Sequence, residues 1–157
     1  MKYQTGEYEA VHRAPAWRDR ADFVFSAYLG IENGKKEWEQ LWGKQVAPNK
    51  FILCCIPFFV YGISLGDELE TDNNFVLHRV VRQGGQATFR VWFGEQDVAT
   101  RDAIVHEIED MRPLMEWSSD HLLALSVPDG DKAQEIANYL QAREEDRVLQ
   151  YETGRAK

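Results

Sequence analysis

From Ala21 to Glu32 apolar and polar positions alternate. Phe23, Phe25, Ala27 and Leu29 fall on one face, and Asp22, Val24, Ser26 and Tyr28 on the other. A period of two is that of a strand. Asn33-Gly34 follows, a pair suited to a type I′ turn because both central positions there need positive φ. The stretch KKEWEQLWGKQV is ambiguous. Trp38, Leu41 and Trp42 stand at i, i+3 and i+4, which suggests a short helix closed by Gly43. Pro48-Asn49 marks a turn, and KFILCCI (50–56) reads as a strand buried on both faces. Pro57 turns the next residues into a bulge, edge or bend. After DELETD and the Asn73-Asn74 turn, FVLHRVVRQ alternates again, with Phe75, Leu77, Arg79 and Val81 against Val76, His78, Val80 and Arg82. Gly84-Gly85 is expected to close a hairpin with ATFRVWFG. Residues 21–85 therefore read as a small antiparallel barrel or a strongly bent sheet.

Downstream the pattern becomes regular. ATFRVWF is a strand. Asp97 can cap a helix whose apolar residues Val98, Ile104, Val105, Ile108 and Met111 recur at helical spacing, and Pro113 ends it. LMEWSS and HLLALSVP are two further strands. Asp129 or Asp131 caps a second helix carrying Ala133, Ile136, Ala137 and Leu140 on one face, and RVLQYET is a last strand. The order β-α-β-β-α-β is the ferredoxin-like arrangement, two helices on one face of an antiparallel sheet. The expected class is α+β, with a bent β-rich part (21–85) sharing one core with a ferredoxin-like half (86–157). Residues 1–20 show little periodicity and form an extension, either loose or docked.

A chain of 157 residues with 44% apolar and 12% aromatic residues can bury a core without staples. The apolar run Phe51–Leu65 is interrupted by Pro57 and Gly62 and is too short to span a membrane. The N-terminal residues lack the apolar core of a secretory signal, so a cytoplasmic location is expected. Charge changes the picture more. The net value is −8, and residues 97–146 hold four basic and thirteen acidic side chains. Such a surface repels phosphate backbones and attracts a basic protein. A basic protein partner is therefore expected, with no direct nucleic-acid or membrane binding.

Chemistry is sparse in the pattern. Cys54 and Cys55 are adjacent and without a third cysteine, which fits two buried thiols in a reducing compartment. His12, His78, His106 and His121 form no metal-binding spacing, and no cofactor or metal is expected. Gly62-Ile63-Ser64-Leu65-Gly66 matches G-x-S-x-G literally, but lacks the strand–turn–helix setting of a nucleophile elbow. Trp38, Trp42, Trp92 and Trp117 read as core or interface aromatics, because basic residues are not interleaved with them. Asp67 is the most interesting polar residue. Either it bonds nearby backbone amides and sets a turn, or it forms a shallow carboxylate site with Glu68 and Glu70.

The stretch EQLWGKQVAPNKFILCCIPFFVYGISLGDELE resembles a bacterial family, the domain of unknown function 4265 (DUF4265) family. The resemblance is carried by Glu39, Leu41, Trp42 and Gly43, then by Ile56, Pro57, Phe58, Phe59, Gly62, Ser64, Gly66 and Asp67. It extends over roughly residues 21–152, with Val127 and Pro128 as a further mark, and departs from the family at Cys54-Cys55, where a polar residue is common. It implies common fold and no activity, catalytic residue or cofactor. On this view Pro57, Phe58, Phe59, Gly62, Gly66 and Asp67 are a structural signature.

Taken together, these features favour a non-enzymatic, acidic cytoplasmic interaction protein, an immunity or antitoxin-like inhibitor of a basic bacterial toxin domain. The expected partner-binding residues are Asp67, Glu68, Glu70 and Asp72, with Glu107, Glu109 and Asp110 on the first helix. The alternatives are a small-molecule-binding or regulatory module of ferredoxin-like type, and an enzyme using Asp67, Glu68 or His78 as acid and base.

Overall fold

The computed structural model describes residues 8–155, so residues 1–7 of the expected extension lie outside the described part. Among the described residues ten strands form two sheets, and two α-helices cover one face of the second. The first sheet comprises β1 (Tyr8–Ala10), β2 (Phe23–Glu32), β3 (Lys35–Ala47), β4 (Lys50–Leu53), β5 (Glu68–Thr71) and β6 (Leu77–Arg82). β2 to β6 run antiparallel in sequence order. β1 lies parallel to β3, with Glu9 opposite Trp38. From residue 8 onward, then, the N-terminal arm is docked. The β2–β3 turn has positive φ at Asn33 (52°) and Gly34 (75°), as its sequence requires. The sheet bends until Ser26 bridges Val76. This curvature stops short of a closed barrel. Phe25, Leu41, Phe51, Leu53, Ile63 and Leu69 fill its concave side.

Four local expectations are corrected here. Lys35–Ala47 is one 13-residue strand, not a short helix. Its buried positions are Glu39, Leu41 and Gly43, a period of two, and pairing with β2 on one side and β4 on the other overrides the helical spacing of the tryptophans. Gly43 is no helix cap. A Cβ there would lie 2.8 Å from the Phe25 ring, so the glycine lets the strand approach that side chain. The buried strand at 50–56 ends at Leu53, and Cys54, Cys55 and Ile56 belong to the irregular segment that follows. In β6 two register shifts against β5 place Leu77 and Val80 toward the core, so strict alternation fails.

Gly84-Gly85 closes no hairpin. It is the crossover from the first sheet to the second. Asp67 accepts the Gly84 amide at 2.7 Å, and a Cβ at Gly84 would lie 2.4 Å from the Gly66 carbonyl oxygen. The glycine is demanded by this close approach of two backbones rather than by a turn.

The second sheet contains β7 (Gln86–Trp92), β8 (Leu114–Ser119), β9 (Leu122–Pro128) and β10 (Gln150–Thr153) in the order β10-β7-β9-β8, all antiparallel. With α1 (Val98–Asp110) and α2 (Asp131–Glu145) it forms the expected ferredoxin-like half. Phe89, Val91, Leu123, Leu125 and Val127 meet Ile104, Ile108, Ile136 and Leu140 in one core. Asp97 caps α1, accepting the Thr100 amide at 2.8 Å. Neither Asp129 nor Asp131 caps α2. The cap position is Gly130 at φ 114°, and Asp129 accepts the Gly130 amide instead. Among the described residues no helix is long and apolar enough to cross a membrane.

Candidate functional site

The opposite face of the second sheet meets the first sheet through the irregular segment 54–66. Ile56, Phe58 and Leu65 pack there on Ala124. Apolar contact is only part of the junction. Strand residues of opposite parity to the helix-facing core bring Thr88, Arg90, Glu116 and Ser126 to this side, all buried. A segment without regular structure leaves its backbone groups unpaired, and burial then demands other partners. At its ends the segment bonds other backbone, as Cys54, Gly62 and Gly66 donate to the carbonyls of Trp42, Gly154 and Leu53; between Ile56 and Val60 two carboxylates and one guanidinium are the partners.

Glu39, from β3, accepts the amides of Phe58 (2.8 Å), Phe59 (2.9 Å) and Val60 (3.1 Å). Glu116, from β8, accepts the amides of Ile56 (2.5 Å) and Ala16 (3.1 Å). Arg90, from β7, donates to the carbonyls of Pro57 (3.2 Å) and Val60, lies 4.8 Å from the Tyr61 ring, and reaches Glu152 at 3.4 Å. The apolar signature segment is thus gripped by charge. The amides of Ile56, Phe58, Phe59 and Val60 point at carboxylates, and the carbonyls of Pro57 and Val60 at a guanidinium.

His12 joins the two acids. Its Nδ1 lies 2.7 Å from Glu116 and its Nε2 2.7 Å from Glu39, with both ion pairs out of solvent. The ring stacks on Phe58, centroids 4.1 Å apart and planes 8° off parallel. Only the doubly protonated ring can donate to both acids. Burial opposes that charge, but the carboxylates of Glu116 and Glu39 outweigh it and hold the His12 pKa well above the ordinary histidine value. Burial also raises the Cys55 thiol, so at neutral pH the sulfur is uncharged and the carboxylates hold the proton on His12. His12 and Arg90 balance Glu39 and Glu116, so the cluster has two charges of each sign.

This Cys–His–Glu grouping resembles the parts of a nucleophilic site but has the wrong geometry. Both imidazole nitrogens are committed to carboxylates, so the ring cannot accept the thiol proton. Cys55 is fully buried and its thiol is raised, not activated. Burial likewise pushes Cys54 up to about 11. The arrangement can fix backbone, and its chemistry ends there.

Asp67 turns inward at 3% exposure. It accepts the Ser64 amide at 2.8 Å and the Gly84 amide at 2.7 Å. Burial raises its pKa against the lowering effect of those two amides. The turn-setting arrangement is the one present. Beside it a groove of about 640 Å³ is lined by Ser64, Asp67, Thr88, Asp129 and Gln134, with the Ser64 and Thr88 hydroxyls 2.7 Å apart.

The remaining expected partner-binding residues stand on separate elements. Glu68 pairs with Arg82 at 3.2 Å and Glu70 with Arg79 at 2.9 Å across β5 and β6. Asp72 accepts the Asn74 and Val76 amides in the turn between those strands. Glu107, Glu109 and Asp110 lie exposed on α1. His78, His106 and His121 are exposed, and Trp92 and Trp117 are more open than core aromatics would be.

Sequence reasoning missed His12, Arg90 and Glu116 and placed Glu39 only in a motif. No local signal marks Glu39, Arg90 or Glu116: Glu39 shares its strand face with Lys35 and Glu37, Arg90 with Gln86 and Thr88, and Glu116 with Leu114 and Ser118, so each reads as solvent-facing. His12 offered none, because its partners lie 27 and 104 residues away.

Comparison with curated proteins finds no match. Among solved structures, the fold is similar to the crystal structure of a hypothetical protein from Neisseria gonorrhoeae, with a TM-score of 0.69 at 16% identity, covering 84% of this chain and 93% of that one. At that identity the likeness concerns fold alone. The model of the family described as Domain of unknown function (DUF4265) matches residues 39–151, a span that opens on Glu39 and includes Arg90 and Glu116 but not His12. With the larger part of its length matched, the chain belongs to the DUF4265 family.

Proposed function

We propose that the protein is a non-enzymatic, acidic, cytoplasmic interaction protein that covers a basic protein partner, in the manner of an immunity or antitoxin-like inhibitor seated on a toxin domain. The observation that carries this reading is the exposed face of α1. Glu107, Glu109 and Asp110 stand exposed there with Asp102, which pairs with Arg101 at 3.4 Å, and His106 is the one other basic side chain of that helix. The buried charges, by contrast, are committed to backbone and to one another. Exposed like charges repel one another in the free protein, and a cationic surface relieves that repulsion. Association would be electrostatically steered and weakened by salt.

The test is co-purification with the product of the adjacent gene, together with rescue of growth when that gene is expressed alone. A stable, salt-sensitive complex that Glu107→Lys/Asp110→Lys disrupts is the expected result. Absence of both complex and rescue for every neighbouring gene would end the reading. The groove beside Asp67 favours a second reading, a small-molecule-binding module of ferredoxin-like type. Ligand-dependent rises in Tm that Ser64→Leu abolishes would select it.

A further inference from the structure

At the end of the ferredoxin-like half remote from Asp67, the loop after β7 and the loop before β10 enclose an open groove of about 770 Å³. Trp92 lines it, the residue 46% exposed with its ring tilted against that of His121 at 5.8 Å, an unusual openness for the largest apolar side chain on a strand. Glu95 and Glu144 line the same groove, and Arg147 is the one cation among its described lining residues. Glu95 is exposed and holds no ion pair among the described residues. Glu144 uses Oε2 to accept the Tyr151 amide at 3.0 Å, which fixes its position. The flanks add Asp97 and Glu145, both exposed.

An accessible indole face beside carboxylates suits one chemical class, a cationic side chain. The ring attracts the cation through its quadrupole, the carboxylates through charge, and an arginine can do both at once by stacking its planar guanidinium. We infer that this groove is the seat of an arginine side chain of the basic protein partner. The inference rests on the partner reading above and adds where that partner inserts. Trp92 is the anchor, of the kind that dominates binding energy in interfaces. Glu95 supplies the exposed countercharge. Arg147 weakens the site by repulsion.

The experiment uses the ¹⁵N-labelled full chain at low salt, with the Trp92 indole N–H resonance assigned through Trp92→Phe. A hexa-arginine peptide is titrated in, with hexaglutamate as control. The expected result is a saturable shift of the Trp92 resonance by the arginine peptide only. Glu95→Gln should weaken binding about 2–5-fold and Arg147→Ala should tighten it about 2–3-fold, the size of single exposed charge contacts. Shifts confined to amides of α1, with Trp92 unmoved, would overturn the groove and leave the acidic-surface reading standing. No shift anywhere would overturn the groove and remove the support for a cationic partner as well.

Discussion

Replacing His12 by alanine removes the cation between Glu39 and Glu116. Both acids keep their backbone partners, but they lose the charge that sits 2.7 Å from each. Breaking a buried ion pair by deleting one member costs about 3–5 kcal/mol, because the remaining charge stays desolvated and uncompensated. Loss of the stack on Phe58 adds about 0.5–1.5 kcal/mol. For a chain of this length each kcal/mol moves Tm by roughly 2–4 °C, so a fall of about 7–26 °C is expected by calorimetry. His12→Gln serves if the alanine variant does not fold. It can donate to one acid, yet leaves the charge unbalanced.

The pH dependence isolates the charge from the packing. The folded pKa of His12 lies above its unfolded value, so the proton is held more tightly by the native state. Its contribution is therefore complete below about pH 6.5 and is lost as pH rises through the higher folded value. Between pH 7 and 9 the native state holds one proton that the unfolded chain has released, and stability should decline by about 1.4 kcal/mol per pH unit. Urea titrations across that interval measure it, and the slope attributable to His12 should vanish in His12→Ala. Parallel profiles for wild type and variant, or a loss below about 1 kcal/mol, would refute the buried imidazolium.

Three further outcomes are expected. Gly84→Ala forces a methyl group to 2.4 Å from the Gly66 carbonyl and should cost about 1–3 kcal/mol in urea unfolding; a variant as stable as wild type would show that the two backbones part easily. Arg90→Lys keeps the charge but cannot bond the Pro57 and Val60 carbonyls and Glu152 together, so about 1–3 kcal/mol should be lost, and an unchanged midpoint would mean that the fork geometry is irrelevant. Native Cys54 and Cys55 should react with a thiol reagent at pH 8 on the order of 100-fold more slowly than in the urea-unfolded chain, since burial raises both thiols; equal rates would contradict their burial.

The ferredoxin-like half was legible because its information is local. Asp97 followed by apolar residues at helical spacing identifies α1 without reference to the rest of the chain. The junction was illegible for the opposite reason. A charged residue in a strand reads as solvent-facing, since burial of charge is the exception. Glu39, Arg90 and Glu116 are that exception, and each is buried only because the others are. Gly84-Gly85 failed similarly. A glycine pair between two strands has one local meaning, a hairpin, and the contact with Gly66 that explains Gly84 is 18 residues distant in sequence.

Why a chain would hold an apolar segment with four buried charges follows from what that segment lacks. Residues 54–66 leave the sheet after Leu53, and while Cys54, Gly62 and Gly66 still bond other backbone, residues 56–60 have no ladder to satisfy their amides and carbonyls. Burying them against Ala124 gains the apolar contact of Ile56, Phe58 and Leu65, but strands the backbone. Carboxylates accept several amides each and an arginine donates to several carbonyls, so few side chains suffice where neutral ones would be needed in number. Charges of one sign would repel, and the cluster therefore needs both, which Arg90 and His12 provide. The E-x-L-W box at Glu39 and the I-P-F-F segment at Ile56–Phe59 are two halves of one arrangement, acceptor and donor. His12 is the part supplied by the docked arm, and it makes the stability of both sheets depend on that arm staying in place.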